Sequence, residues 1–310
     1  MFKKTLIAAA IATVAAAPAA MADVSVSGQV KVGFTSTDST ATTNAKDWAP
    51  STDNNITFKA TEDLGNGMTA AAMIGLDTDN GGTGADEKDA KVSLSGGFGT
   101  VVIGRMETLT QGAVSTKMDD GGGNGALESD LTNLGRYAAV AYVSPTVNGF
   151  HVAIAGTGNG DDVTTTDNDG DGLFQHTDVV LAYANGPLSI TAARADVDAA
   201  DNSTANYKVT TLAASYAVGD MKVSVMDVDK DFDDASTDLG DTIYRLDYKM
   251  GNNSILLGHR SNDAGTGNTD NDVTSVKLTH SLSKRTAVWV GHRDKDSGAD
   301  QTHFGILTKF

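Results

Sequence analysis

The chain of 310 residues contains no cysteine and only 4 prolines. Without thiols there is neither a disulfide scaffold nor a thiolate metal site. Positive charge is also scarce. Its 23 Lys+Arg stand against 40 Asp+Glu, a formal net charge of −17, so the basic footprint of a nucleic-acid binder is missing and no nucleic-acid partner is expected. Aromatic residues make up 6% of the chain. No apolar run reaches the roughly 20 residues that a membrane-spanning helix needs. The longest, Leu6 to Ala17, follows Met1-Phe2-Lys3-Lys4 and precedes Ala20-Met21-Ala22. A basic start, a short apolar stretch and a small-x-small site form a cleavable secretory signal over residues 1–22. Export without cysteine points to a bacterial periplasm or outer membrane, with 23–310 as the mature domain.

What the mature region has is alternation. Val24, Val26, Val30, Val32 and Phe34 fall on one face of an extended chain, and Ser25, Ser27, Gln29, Lys31 and Thr35 on the other. Tyr244, Leu246 and Tyr248 alternate in the same way with Arg245, Asp247 and Lys249. Sixteen such strands are expected, near 24–34, 55–62, 68–77, 89–95, 100–106, 136–144, 150–156, 176–184, 188–196, 207–217, 221–229, 242–250, 254–261, 272–281, 286–294 and 303–310. No long segment keeps a helical stripe.

The connections alternate as well. Short ones, such as Leu64-Gly65-Asn66-Gly67, Gly96-Gly97-Phe98-Gly99 and Asn185-Gly186-Pro187, carry turn chemistry. Long polar ones follow every odd strand. An even number of antiparallel strands, tight turns at one end and long loops at the other is the pattern of a transmembrane β-barrel, with its short turns periplasmic and its long loops extracellular. The eight long connections hold 27 acids against 5 bases, a net −22. Strand cations lie mainly on the polar face, among them Lys31, Lys59, Lys91 and Arg245. On a lipid face each would cost roughly 2–4 kcal/mol near the midplane, so the alternation implies a hydrated interior. Tyr142, Tyr183, Tyr216 and Tyr248 each stand three residues before the Pro or Gly that opens a short turn. Four rings at one height form an aromatic girdle at a membrane interface.

Thr61-Glu62-Asp63-Leu64-Gly65-Asn66-Gly67, then Gly96-Gly97-Phe98-Gly99-Thr100-Val101-Val102-Ile103-Gly104-Arg105, then Tyr142-Val143-Ser144-Pro145 running to Gly149-Phe150, and the ending Gly305-Ile306-Leu307-Thr308-Lys309-Phe310 together resemble the general Gram-negative porins. The resemblance spans the mature chain in order. It implies a homotrimer of 16-stranded antiparallel barrels in the outer membrane, with passive diffusion of small hydrophilic solutes and ions. It also implies contact with membrane lipid and lipopolysaccharide. Phe304, Ile306 and Phe310 resemble the signal read by the barrel assembly machinery.

The family folds its third extracellular loop into the lumen. Here that loop is about 107–135, the longest connection, with Glu107, Asp119, Asp120, Glu128 and Asp130 against Lys117. Opposite these acids the expected basic wall is Lys31, Lys59, Lys91, Arg105 and Arg245. Charges separated across a narrow wet gap orient water and penalise apolar solutes. Where such porins often place an arginine at the start of strand two, this chain has Asn55, and alternation puts Arg136 on the face of Tyr142. With −22 in the loops, weak cation selectivity is expected.

Asp167-x-Asp169-x-Asp171-Gly172, with Asp178 further on, resembles the spacing of a calcium loop. No cofactor is required, but Ca²⁺ in the extracellular loops is the metal these residues could hold. The six histidines show no zinc spacing, and neither a nucleophile elbow nor a Walker loop occurs. The chain therefore does not read as an enzyme. A secreted soluble calcium-binding β protein, or a closed-lumen barrel acting as adhesin or receptor, are the alternatives from other classes.

Overall fold

The computed structural model describes residues 23–38, 47–78, 86–118, 127, 129–157, 176–198, 206–233, 238–265, 271–297 and 299–310. The leader over 1–22 lies outside them. The strands are β1 (Asp23–Thr37), β2 (Asp47–Thr52), β3 (Asn55–Gly65), β4 (Met68–Asp77), β5 (Asp86–Gly96) and β6 (Gly99–Glu107). Next come helix α1 (Leu109–Met118) and a 3₁₀ turn (Asp130–Thr132). The order continues with β7 (Arg136–Val143), β8 (Phe150–Thr157), β9 (His176–Asn185), β10 (Leu188–Val197), β11 (Tyr207–Val218) and β12 (Met221–Phe232). It ends with β13 (Leu239–Met250), β14 (Asn253–Asp263), β15 (Val273–Ser281), β16 (Thr286–Lys295) and β17 (Gln301–Lys309).

β1 pairs antiparallel with both β2 and β3, each strand from β3 onward pairs antiparallel with the next, and β17 returns to β1 from Gln29↔Lys309 to Thr37↔Gln301. The sheet is therefore a closed cylinder without edges, the condition for crossing lipid with every ladder bond made. Phe310 completes the seam by exchanging backbone hydrogen bonds with Gly28 at 3.1 and 3.2 Å. Strands β2 and β3 share one place in the wall. The outer half of β1, Val32 to Thr37, pairs with β2, and its inner half, Asp23 to Gln29, pairs with β3. Seventeen segments thus make sixteen barrel positions, as the alternation predicts.

Two local expectations are corrected. Residues 47–52 belong to the ladder rather than to the first long connection, because β1 runs on to Thr37 and offers a partner above the break at Asp53 and Asn54. Pro50 inside Asp-Trp-Ala-Pro-Ser-Thr hides that strand in the sequence, since proline lacks the N–H of a ladder. The third connection contains a helix, α1, whose sequence shows no helical stripe. Packing, described below, holds it in place of amphipathic periodicity.

The outward rows carry the large apolar residues. Val24, Val26, Val32, Ile103, Val140, Leu257 and Phe304 are all exposed, on a surface that faces lipid. Among the described residues no helix is long and apolar enough to cross a membrane; the strands do so. Three of the tight turns repeat one geometry, with Gly186, Gly219 and Gly251 at φ of 57°, 57° and 59°. These are left-handed values that glycine adopts without steric cost.

Candidate functional site

Inside the cylinder, α1 lies across the inner faces of β8 to β12. The strands present small or apolar residues there, and the loop adds the rest of a core. Val114 of α1 and Leu134 pack with Ala195, Val209, Ala213, Met226, Val228 and Ile243. Leu109 and Ala113 cover Ala153, Val180 and Ala193. Val114 is fully buried, a burial that contributes about 1.5–3 kcal/mol. At the far end of the loop Leu127 sits on Gly258, where an added Cβ would lie 2.2 Å from its Cδ1. Only glycine on β14 leaves room for it.

Polar contacts fix the same loop. Both carboxylate oxygens of buried Asp178, on β9, serve the start of α1: Leu109 N–H donates at 3.3 Å, Thr110 N–H at 3.2 Å and the Thr110 hydroxyl at 2.6 Å. A negative charge beside unpaired N–H groups is favourable at a helix N-terminus. Gln111 Oε1 accepts from Leu134 and Gly135 N–H, each at 3.1 Å, tying the helix to the returning chain. The Ser129 hydroxyl donates to Asp241 on β13, which also accepts from Asn262 at 2.9 Å.

Next to the loop's return, the inner wall is cationic. Ladder registry places Arg245, Gly258, Ser275 and Arg293 in one row, and Arg260, Val273 and Lys295 in the adjacent row. Arg293 is fully buried and donates to Gln301 at 3.3 Å. Arg245 grips Asp247 through two hydrogen bonds, 2.8 and 2.7 Å. Lys295 has Arg293, Arg260 and the loop carboxylate Asp130 as charged neighbours.

On the other side of the lumen, Lys59 and Lys91 align in one row through Met73. Lys59 is exposed although it points inward, as a wet interior requires. Lys91 lies 3.6 Å from Asp89, and Lys31 pairs with Asp53 at 3.4 Å. Arg136 resolves toward the lumen. It meets Glu107 at 3.2 Å and lies 3.9 Å from Asp89, after Gly135 has turned the chain at φ 86°.

Of the residues nominated for the acidic side, Glu107 therefore stands beside Arg136 and Asp130 beside Lys295. Asp119, Asp120 and Glu128 lie outside the described residues. On the basic side, Lys31, Lys59, Lys91 and Arg245 face inward. Arg105 is half-buried on β6, in register with Ala90 and Ala138. Arg260, Arg293 and Lys295 were not nominated. The signal for them was the inward pair of a glycine and an arginine two residues on, Gly258/Arg260 and Gly291/Arg293. Apolar Leu256, on the same face of β14 as Arg260, obscures it.

The four girdle tyrosines lie on the outward face beside the short turns, with the Tyr142 hydroxyl donating to the Phe98 carbonyl at 2.7 Å and Tyr183 stacking with Phe150 at 4.3 Å. Phe304, Ile306 and Phe310 are exposed on the outer face at the seam, and Phe304 packs against Phe34 and Trp48. Asp167, Asp169 and Asp171 lie outside the described residues. Asp178 holds α1, so both its oxygens are engaged in the loop anchor. Among the described residues no cluster of three His, Cys, Asp or Glu is arranged to hold a metal.

A model of the Gram-negative porin family matches residues 8–300. The outer membrane porin protein 32 of Delftia acidovorans is 25% identical over 313 residues, covering 93% of this chain and 88% of that protein. The major outer membrane protein P.IB of Neisseria gonorrhoeae is 34% identical over 164 residues, 48% of this chain and 46% of that one. The match thus spans about half the length of the neisserial relatives. A solved structure described as an anion-selective porin from Comamonas acidovorans superposes with a TM-score of 0.74 at 21% identity, over 93% of this chain and all of that one. At that identity the likeness speaks for the fold.

Proposed function

Because the chain belongs to the Gram-negative porin family, an outer-membrane protein whose barrel is a channel rather than an enzyme, we propose that it passes small hydrophilic solutes and ions by passive diffusion. The observation that carries this reading is the unequal filling of the lumen. The third loop is packed on β8 to β12, while Lys59, Lys91 and their neighbours line a hydrated wall opposite. Transport here needs no chemical step: a solute keeps polar contacts along the wall, and an apolar one loses water without replacement.

The ion preference we read from the wall is weakly anionic. Loop acidity alone favours cations, as the composition implies. Charges at a wide mouth, however, are screened over about 8 Å at physiological salt, whereas Arg245, Arg260 and Lys295 line the confined passage, with buried Arg293 behind them. The similar barrel from Comamonas acidovorans is described as anion-selective, in keeping with this. Assembly as a homotrimer, contact with lipopolysaccharide and recognition by the barrel assembly machinery through Phe304, Ile306 and Phe310 follow from family membership and belong to the same proposal. Calcium binding by the extracellular loops would rest on Asp167, Asp169 and Asp171. Reconstitution in a planar bilayer tests the channel: stepwise openings are expected, with a reversal potential in a salt gradient on the anion side. A silent bilayer would refute the channel. A cation-side potential would return the selectivity to the acidic connections, Asp119, Asp120 and Glu128 among them.

A further inference from the structure

The chain has two tryptophans. Trp48 sits on the outer face against Phe304. Trp289 faces inward on β16, outside the apolar core under the third loop. Registry sets Trp289 opposite Gly305 and Gly305 opposite Gly33, so three adjacent strands give one indole and two bare backbones. A Cβ on Gly305 would lie 2.4 Å from the indole Cζ2, and one on Gly33 3.2 Å from the same atom. The two glycines thus seat the indole against the wall in a row that is otherwise polar. Lys31, one rung below, buried and paired with Asp53 at 3.4 Å, brings its ammonium to 5.9 Å from the ring centroid. Lys277, one rung above in the row of Gly291 and His303, is a second cation.

Resting on the channel reading above, we propose that Trp289 is a stacking station in the pore wall for planar aromatic anions. The solute ring lies over the indole, and its carboxylate is held by Lys277. Offset stacking of two rings is favourable and insensitive to substituents, and a charged donor beside the ring selects the anionic solute. The station slows such a solute locally and raises its concentration in the lumen, so aromatic acids cross with saturable rather than linear flux.

The test compares two acids of equal charge and similar size, benzoate and cyclohexanecarboxylate, added to the reconstituted full-length mature protein carrying a chloride current. Benzoate should reduce the current with saturation, and cyclohexanecarboxylate should not. Trp289→Leu should weaken the benzoate effect by about fivefold or more, and Trp289→Phe should retain most of it. Equal block by the two acids, or an unchanged benzoate response in Trp289→Leu, would overturn the station while leaving the channel intact. If the wild type carries no chloride current, the channel reading itself has failed and the station falls with it. If Trp289→Leu does not fold, the contrast between the two acids in the wild type and in Trp289→Phe still decides.

Discussion

Along β8 to β13 the inward positions include Ala153, Val180, Ala193, Ala195, Val209, Met226 and Ile243, interleaved with buried Asp178, Thr191, Thr211, Ser224 and Asp241, whereas along β1, β3 and β5 they include Ser25, Ser27, Lys31, Thr57, Lys59, Lys91 and Ser93. Both sets belong to one closed sheet with one lipid-facing exterior. The first half of the lumen is dry because a loop lands on it; the second is wet because, among the described residues, no apolar segment covers it. A barrel interior is therefore not a single environment. The rule of apolar outside and polar inside holds only where water reaches the wall, and its local failure marks where the loop is seated.

The largest expected effect comes from wetting the dry half. Val114→Asp would bury a carboxylate among Val209, Met226 and Ile243, at a cost of several kcal/mol. The loop should leave its seat while the ladder persists. Single-channel conductance should rise and the loop should become open to protease in a barrel that still resists unfolding; unchanged conductance would mean that the packing does not hold the loop. Asp178→Ala acts on the polar latch and should loosen the start of α1 by about 1–3 kcal/mol. It should appear as added current noise rather than as a new conductance level, and a noise spectrum like the wild type would count against the latch.

On the wet half, charge rather than packing is at stake. Reversing Arg260 and Lys295 together to glutamate should shift the reversal potential toward cations, whereas Arg194→Glu should leave it unmoved, since Arg194 lies on the outer face bonded to Asp196. Equal shifts would mean that general surface charge, not the wall, sets selectivity. The smallest effect is expected from the girdle. Tyr216→Ala should lower thermal stability in detergent or lipid by about 1 kcal/mol and leave conductance alone.

Most of the fold was legible because strand period and turn chemistry are local. Val24 to Phe34 declares its two faces without reference to any partner, and Gly186, Gly219 and Gly251 declare their turns. What was not legible is non-local. Helix α1 has no stripe of its own, and its place is set by Val209 and Met226, about a hundred residues away in sequence. The strand at 47–52 is made by the length of β1 rather than by its own composition. The wall cations Arg260 and Arg293 are adjacent across strands that the sequence separates by some thirty residues. The apolar residues mixed into the inward face of β8 to β13, such as Val180, Val209, Met226 and Ile243, were the readable trace of the buried loop, and a strict expectation of polar interiors passes over them.

The absence of native cysteine makes the central claim directly measurable. In otherwise thiol-free protein reconstituted in lipid, a charged, membrane-impermeant thiol reagent should modify Ser93→Cys rapidly and lower the conductance, and should leave Ala195→Cys unreacted. Equal modification of both positions would contradict a lumen that is half packed and half open to water.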